Sequence, residues 1–190
     1  MQGYAGTAPT GAEGWRGTLT LPRLVSCAAD GTLRFATPYN AFPSTAQSDG
    51  PTAITARKQA LPFTHCLCWA LTIEVRWRAI DAQCLELELL ACADGCIRLQ
   101  AVPASRAVCL TRYDAAGTAQ KVGQVVCTTG EKDCLSLHII VDHSCVDIFL
   151  NDGSAVLTTN FYPVHGQVCS SLRAIGGTAT LETCHQCALA

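Results

Sequence analysis

The sequence predicts an all-β fold: two packed antiparallel sheets forming a β-sandwich or jelly roll, with little or no helix. Three observations carry this. Apolar residues recur at every second position over long stretches, which puts one strand face on a core and the other outward. Turn-forming residues punctuate those stretches at short, regular intervals. No window shows a convincing apolar stripe with the 3.6-residue period of a helix, the nearest being the short run from Ala53 to Leu61.

In chain order, Trp69, Leu71, Ile73, Val75 and Trp77 alternate with Ala70, Thr72, Glu74 and Arg76. Leu85 to Leu89 and Ile97 to Ala101 repeat the pattern, with Asp94-Gly95 between them as a hairpin signal, since both residues tolerate positive φ. Leu135, Leu137, Ile139 and Val141 alternate with Ser136, His138 and Asp142, and only Ile140 breaks the rhythm. Asp142-His143-Ser144 turns the chain into a strand through Val146, Ile148 and Leu150, and Asn151-Asp152-Gly153 turns it again into Ala155 to Thr159. Shorter strands are expected near Leu110 to Tyr113, Val122 to Cys127, Leu172 to Ile175 and Thr178 to Cys184. Trp69, Leu71, Ile73, Val75, Trp77, Leu137, Ile139 and Ile148 are the expected core.

A chain of 190 residues suits one domain with a short appendage, and 49% apolar residues supply a sizeable core. Only 15% of residues are charged, below the usual quarter, so part of the surface is expected to be covered by a partner or by self-association. A formal net charge of -2 is too near neutral to point to nucleic acid or an anionic membrane. No apolar run is long enough for a transmembrane helix. Met1-Gln2-Gly3-Tyr4-Ala5-Gly6 has neither the basic nor the apolar region of a signal peptide. Thirteen cysteines, an odd count mostly set in apolar runs, read as buried thiols in a reducing compartment, hence a cytoplasmic location.

Two passages resemble glycoside hydrolase family 32, the family of invertases, levanases and sucrose-6-phosphate hydrolases. One is Trp15-Arg16-Gly17-Thr18-Leu19-Thr20-Leu21-Pro22-Arg23 followed by Asp30-Gly31-Thr32-Leu33. It is similar to the passage that closes the family's five-bladed catalytic propeller and leads into a C-terminal sandwich. The other is Leu137-His138-Ile139-Ile140-Val141-Asp142-His143-Ser144-Cys145-Val146-Asp147-Ile148-Phe149-Leu150-Asn151-Asp152-Gly153, where the family usually has Ser at the place of Cys145 and Glu at that of Asp147. The family also usually has Glu after Pro-Arg, where Leu24 stands here, which suggests a lost ion pair at the junction.

The resemblance implies residues 1–37 as the remnant of a propeller with its junction strand, 38–52 as a connection and 53–190 as the sandwich. It implies that Trp15, Leu19, Leu21 and Arg23 dock the sandwich to a propeller. The residues before about Pro22 are then expected to be poorly placed without that partner, and so to be mobile, to fold back onto the sandwich, or to pair with another chain. The family's three acidic motifs, Asn-Asp-Pro for the nucleophile, Arg-Asp-Pro for the carboxylate on the sugar hydroxyls and Glu-Cys for the acid/base, belong to the propeller and do not occur here. The resemblance therefore implies a non-catalytic module of a β-fructofuranosidase, acting beside a catalytic propeller that lies almost wholly outside this chain.

Other residues offer little chemistry of their own. Glu86 and Glu88 share one strand face, but the alternation with Leu85, Leu87 and Leu89 reads as a solvated face rather than the paired carboxylates of a glycosidase. Cys184-His185-Gln186-Cys187 with Cys92 and Cys96 mimics zinc-ligand spacing, but one half lies at the chain end and the other spans a turn, so neither a metal nor any cofactor is expected. His65, His138, His143, His165 and His185 are scattered, and His143 reads as a turn residue. Gly176-Gly177 reads as a turn, not a phosphate loop. Tyr39, Phe42 and Trp15 are the aromatics available for stacking on a sugar, which makes a lectin-like glycan-binding module the alternative reading.

Overall fold

The computed structural model describes residues 19–37, 51–61, 67–127, 133–163 and 167–188. Every regular element among them is a strand. They are β1 (Leu24–Cys27), β2 (Leu33–Ala36), β3 (Thr52–Ile54), β4 (Gln59–Ala60), β5 (Cys68–Asp81), β6 (Cys84–Cys92), β7 (Gly95–Val102), β8 (Ala107–Asp114), β9 (Ala119–Val126), β10 (Cys134–Asp142), β11 (Cys145–Leu150), β12 (Ala155–Asn160), β13 (Cys169–Ile175) and β14 (Thr178–Ala188). The short apolar run at 53–61 holds β3 and β4 rather than a helix turn.

Two six-stranded antiparallel sheets pack face to face. One has the order β12-β11-β10-β5-β14-β3, the other β4-β13-β6-β7-β8-β9. The expected sandwich is what forms, and its core follows from the alternation. Trp69, Leu71, Ile73 and Val75 of β5 lie beside Leu137, Ile139 and Val141 of β10 and meet Leu85, Leu87, Leu89, Ile97 and Leu99 of the opposite sheet in one buried cluster. Trp77 and Ile148 join it, so all eight expected core residues are buried.

Two details differ from the sequence reading. The β6–β7 hairpin turns on Ala93-Asp94, with Cys92 opposite Gly95, rather than on Asp94-Gly95. A bulge at Leu90, whose φ is 53°, adds a residue to β6 and shifts the register by one. Gly95 instead opens β7 with φ 127°, where an added Cβ would fall 2.0 Å from the Tyr113 carbonyl oxygen. The Asn151-Asp152-Gly153 turn forms where expected, all three residues having positive φ.

β1 and β2 form a separate hairpin ahead of the sandwich. Its turn is closed by Thr32, whose N–H donates to Asp30 Oδ1 at 2.9 Å, and by Gly31 at φ 83°. The hairpin is tied to the β11–β12 turn: the Phe35 N–H donates to the Gly153 carbonyl at 2.9 Å, and Arg34 Nη1 donates to the Asn151 carbonyl at 2.8 Å.

Candidate docking site

Residues 19–23 cross the outer face of the β12-β11-β10-β5-β14-β3 sheet without forming a strand. That face carries a second apolar cluster of Ala70, Ile140, Phe149 and Cys187, with Leu21, Phe35 and Val156 packed against it. Ile140 breaks the alternation of β10 for this reason. It points away from the main core and is covered from outside, only 1% exposed.

Asp147 is the polar centre of the site. In register, Asp147 of β11 sits between Ile140 of β10 and Thr158 of β12, so it also faces outward, yet its side chain is fully buried. A buried carboxylate must be compensated, and four groups do this. The Leu21 N–H donates to Oδ2 at 3.1 Å and Arg23 Nη2 to Oδ1 at 2.7 Å. The Thr158 hydroxyl donates a short bond to Oδ1, and Cys145 Sγ lies 3.7 Å from Oδ2. Arg23 Nη2 also reaches Thr158 Oγ1 at 2.7 Å, and its guanidinium carbon lies 6.0 Å from the centre of the Phe149 ring. Burial, reinforced by the Asp147 charge, pushes the Cys145 thiol up to about 12, so it stays a neutral donor.

Beside this cluster, His138 Nδ1 and Thr72 Oγ1 share a hydrogen bond of 2.9 Å, and the imidazole tilts against Phe149 with ring centres 6.2 Å apart. Burial lowers the His138 pKa and favours the neutral ring.

The four residues expected to dock fall into three groups. Leu21 and Arg23 are brought together on Asp147 and fix the N-terminal arm to this sandwich. Leu21 takes one of the courses expected for the segment before about Pro22, folding back onto the sandwich, where its N–H meets the buried carboxylate. Leu19 is 92% exposed. Trp15 lies outside the described residues, as do Tyr39, Phe42, His65 and His165. Leu24, Val25 and Leu33 of the hairpin leave further apolar surface in water.

A different ion pair stands beside Leu24, built across 124 residues from Arg23 to Asp147. Sequence reasoning placed Asp147 only as a replacement for glutamate. The signals available were an acid inside an apolar strand and Ile140 out of phase on the neighbouring strand.

The reading of Glu86 and Glu88 as a solvated face is overturned. Their residues are 2% and 7% exposed, although they do lie on the outward side of β6. Long polar side chains from neighbouring strands fold over them. Arg173 Nε donates to Glu86 at 2.7 Å and Gln100 Nε2 at 2.8 Å. Glu88 accepts from Arg98 Nε at 3.2 Å and from the Lys58 ammonium, and Arg98 lies 4.5 Å over the Tyr113 ring. Burial opposes ionisation of Glu88, but Lys58 and Arg98 outweigh it and hold its carboxyl below the ordinary value. A glycosidase acid needs the opposite shift, so Glu88 is unsuited to that role.

The two halves of the zinc-like spacing do not converge. Cys184 packs against the main core, whereas Cys187 belongs to the outer cluster, as an x2 spacing on a strand requires. Cys92 leans on the main core, and Cys96 is close to Arg98 and Glu88.

The fold is thus a two-sheet antiparallel sandwich with an N-terminal arm clamped to one outer face. Comparison with known proteins identifies it further. Residues 41–186 match the family described as glycosyl hydrolases family 32 C terminal, and the chain belongs to that family. The sucrose-6-phosphate hydrolase of Escherichia coli is 30% identical over 186 residues, which cover 96% of this chain and 37% of that protein. The chain thus spans little more than a third of its curated relative. Among solved structures, the exo-inulinase of Aspergillus awamori superposes with a TM-score of 0.75 at 18% identity, covering 97% of this chain and 38% of that one. The GH32 β-fructofuranosidase of Bombyx mori superposes at 0.67 and 19% identity, covering 98% and 36%. The galectin LEC-6 of Caenorhabditis elegans shares the sandwich fold at a TM-score of 0.51 and 15% identity, covering 73% of this chain and 96% of the galectin.

Proposed function

We propose that this chain is the non-catalytic sandwich of a β-fructofuranosidase-type glycosidase, and that it stabilises a catalytic domain by docking to it through the clamped arm and hairpin. The observation that carries this reading is the Asp147 clamp. Leu21 and Arg23 anchor the arm on a fully buried carboxylate of the sandwich. The arm is therefore fixed at Leu21 and Arg23, while Leu19, Leu24, Val25 and Leu33 stand exposed. A fixed arm and exposed apolar side chains suit a neighbour packed there rather than one tethered loosely.

The substrate class of such an assembly would be sucrose, its phosphate, or fructans, as in the named relatives. Catalysis would rest with the partner domain. The two buried glutamates of this chain are engaged by arginines, lysine and glutamine. A reducing, cytoplasmic location fits the twelve described cysteines, all of which are free thiols.

The experiment is binding in trans. This chain is mixed with the catalytic portion of the E. coli relative, produced without its own matching segment, and complex formation is followed by analytical ultracentrifugation. The proposal expects a one-to-one complex that Leu24→Asp with Val25→Asp abolishes. Failure of the unmodified chain to bind would count against it.

A further inference from the structure

We propose that Cys68, Asp142 and His143 form a surface site for a borderline divalent cation, zinc being the best match. The residues come from two separate parts of the sequence, Cys68 from one and the adjacent Asp142 and His143 from the other. Cys68 opens β5 and Asp142 closes β10, and the antiparallel register places them directly opposite each other, 74 residues apart in the chain. His143 follows in the β10–β11 turn with φ 51°, and its N–H is anchored on the Leu67 carbonyl at 2.6 Å. The backbone of the turn is thus tied to the same strand end that supplies the cysteine.

The side-chain atoms converge on one point. Cys68 Sγ lies 3.3 Å from His143 Nδ1 and 3.9 Å from Asp142 Oδ1, and His143 Nδ1 lies 2.9 Å from Asp142 Oδ1. Ligand distances to zinc of about 2.3 Å for sulfur and about 2.0–2.1 Å for nitrogen and oxygen give tetrahedral edges of about 3.3–3.6 Å. The three observed separations fall within about 0.4 Å of that range, so a small rotation of exposed side chains seats an ion. Thiolate, imidazole and carboxylate together suit zinc rather than calcium or magnesium, which prefer all-oxygen shells.

A nucleophilic Cys-His-Asp relay is the competing reading, and the geometry speaks against it. A relay uses both ring nitrogens, one toward the thiol and one toward the carboxylate. Here the close contacts of both partners fall on Nδ1, and Nε2 is 3.9 Å from the sulfur. Two ligands crowding one nitrogen are what a shared ion explains. His143 and Asp142 are 75% and 50% exposed, so the fourth position opens to water. This site departs from the expectation that no metal binds, because spacing rules see only ligands close in sequence, and here sheet pairing supplies them.

The test is a titration of the metal-free 190-residue chain with zinc, using a chromophoric competitor, and with cobalt, whose thiolate charge-transfer band reports sulfur ligation. Variants are Cys68→Ser and His143→Asn, the latter chosen because Asn tolerates the left-handed turn. Cys169→Ser removes an exposed thiol elsewhere as the control. One equivalent of zinc is expected at micromolar free metal, with the cobalt band present. Affinity should fall by at least about 10-fold in each ligand variant and stay unchanged in the control, since even outer partners of a metal ligand cost that much. Circular dichroism confirms that the variants are folded. Absence of stoichiometric zinc, or zinc that survives both ligand variants, overturns the site.

Discussion

Arg23 and Asp147 are 124 residues apart in the chain and 2.7 Å apart in space, and that bond holds the N-terminal arm on the sandwich. The carboxylate is fully buried while the guanidinium side chain is 26% exposed. The two ends of the bond are therefore not equivalent. Arg23→Ala leaves a buried charge with only the Leu21 N–H and neutral partners, whereas Asp147→Asn leaves an arginine that can reach water. Arg23→Ala is expected to cost about 2–3 kcal/mol in urea unfolding, less than the loss of one partner from a wholly buried pair. Asp147→Asn should cost less. Equal losses for the two variants would contradict this asymmetry.

The clamp also sets local protection. The Leu21 amide, bonded to Asp147, should exchange hydrogen more slowly than the Leu19 amide, whose residue is exposed. Asp147→Ala should remove that difference while leaving the β5 and β10 amides protected. Fast exchange at Leu21 in the unmodified protein would show that the arm is not held.

Gly153 couples the hairpin to the sandwich. Its φ is 76°, and an added Cβ would sit 1.8 Å from the Phe35 carbonyl oxygen. Gly153→Ala should therefore push β2 off the turn, lower stability by about 1–3 kcal/mol through backbone strain, and expose Phe35. Proteolysis near residues 34–36, followed by mass spectrometry, checks it. A variant as stable and as protease-resistant as the parent would contradict the contact.

Glu88 gives a pH signature. Its folded pKa is lowered, so its stabilising contribution is complete above the ordinary value of 4.5 and is lost as pH falls through the lower folded value. Glu88→Gln should be less stable than the parent at neutral pH and should lose less on acidification to the acid side of 4.5. Parallel acid profiles for the two proteins would show that Lys58 and Arg98 do not stabilise the charge.

Much of the fold was legible because one face of each strand meets a single core. Trp69 to Trp77 and Leu135 to Val141 announce both strand and facing, and the positive-φ turn at Asn151 to Gly153 announces the hairpin. The site was less legible. Alternation tells which way Glu86 and Glu88 point, but not that Arg173, Gln100, Arg98 and Lys58 close over them from other strands. Likewise, Asp147 is visible as an acid in a strand, while Leu21 and Arg23 reach it from the far end of the chain. Ile140 was the second clue, an apolar residue on the wrong face that an outer cover explains.

Thiol chemistry tests the compartment reading. Under denaturing conditions without reductant, all thirteen cysteines should titrate. In the native state Cys27 and Cys169 should react first, since both are exposed, while the buried Cys84, Cys96, Cys127, Cys145 and Cys187 should react slowly because burial raises their thiol pKa values. A denatured count well below thirteen would point to disulfides and against a reducing compartment.

A chimera shows whether this module stabilises a catalytic domain without doing chemistry itself. The matched segment of the E. coli sucrose-6-phosphate hydrolase is replaced by this chain, and the half-life of sucrose 6-phosphate hydrolysis is measured on heating, beside the catalytic portion alone and this chain alone. No hydrolysis is expected from this chain alone, and activity in the chimera should outlast that of the bare catalytic portion and be shortened by Arg23→Ala. Hydrolysis by the isolated chain, or a chimera no more durable than the bare catalytic portion, would contradict the proposal.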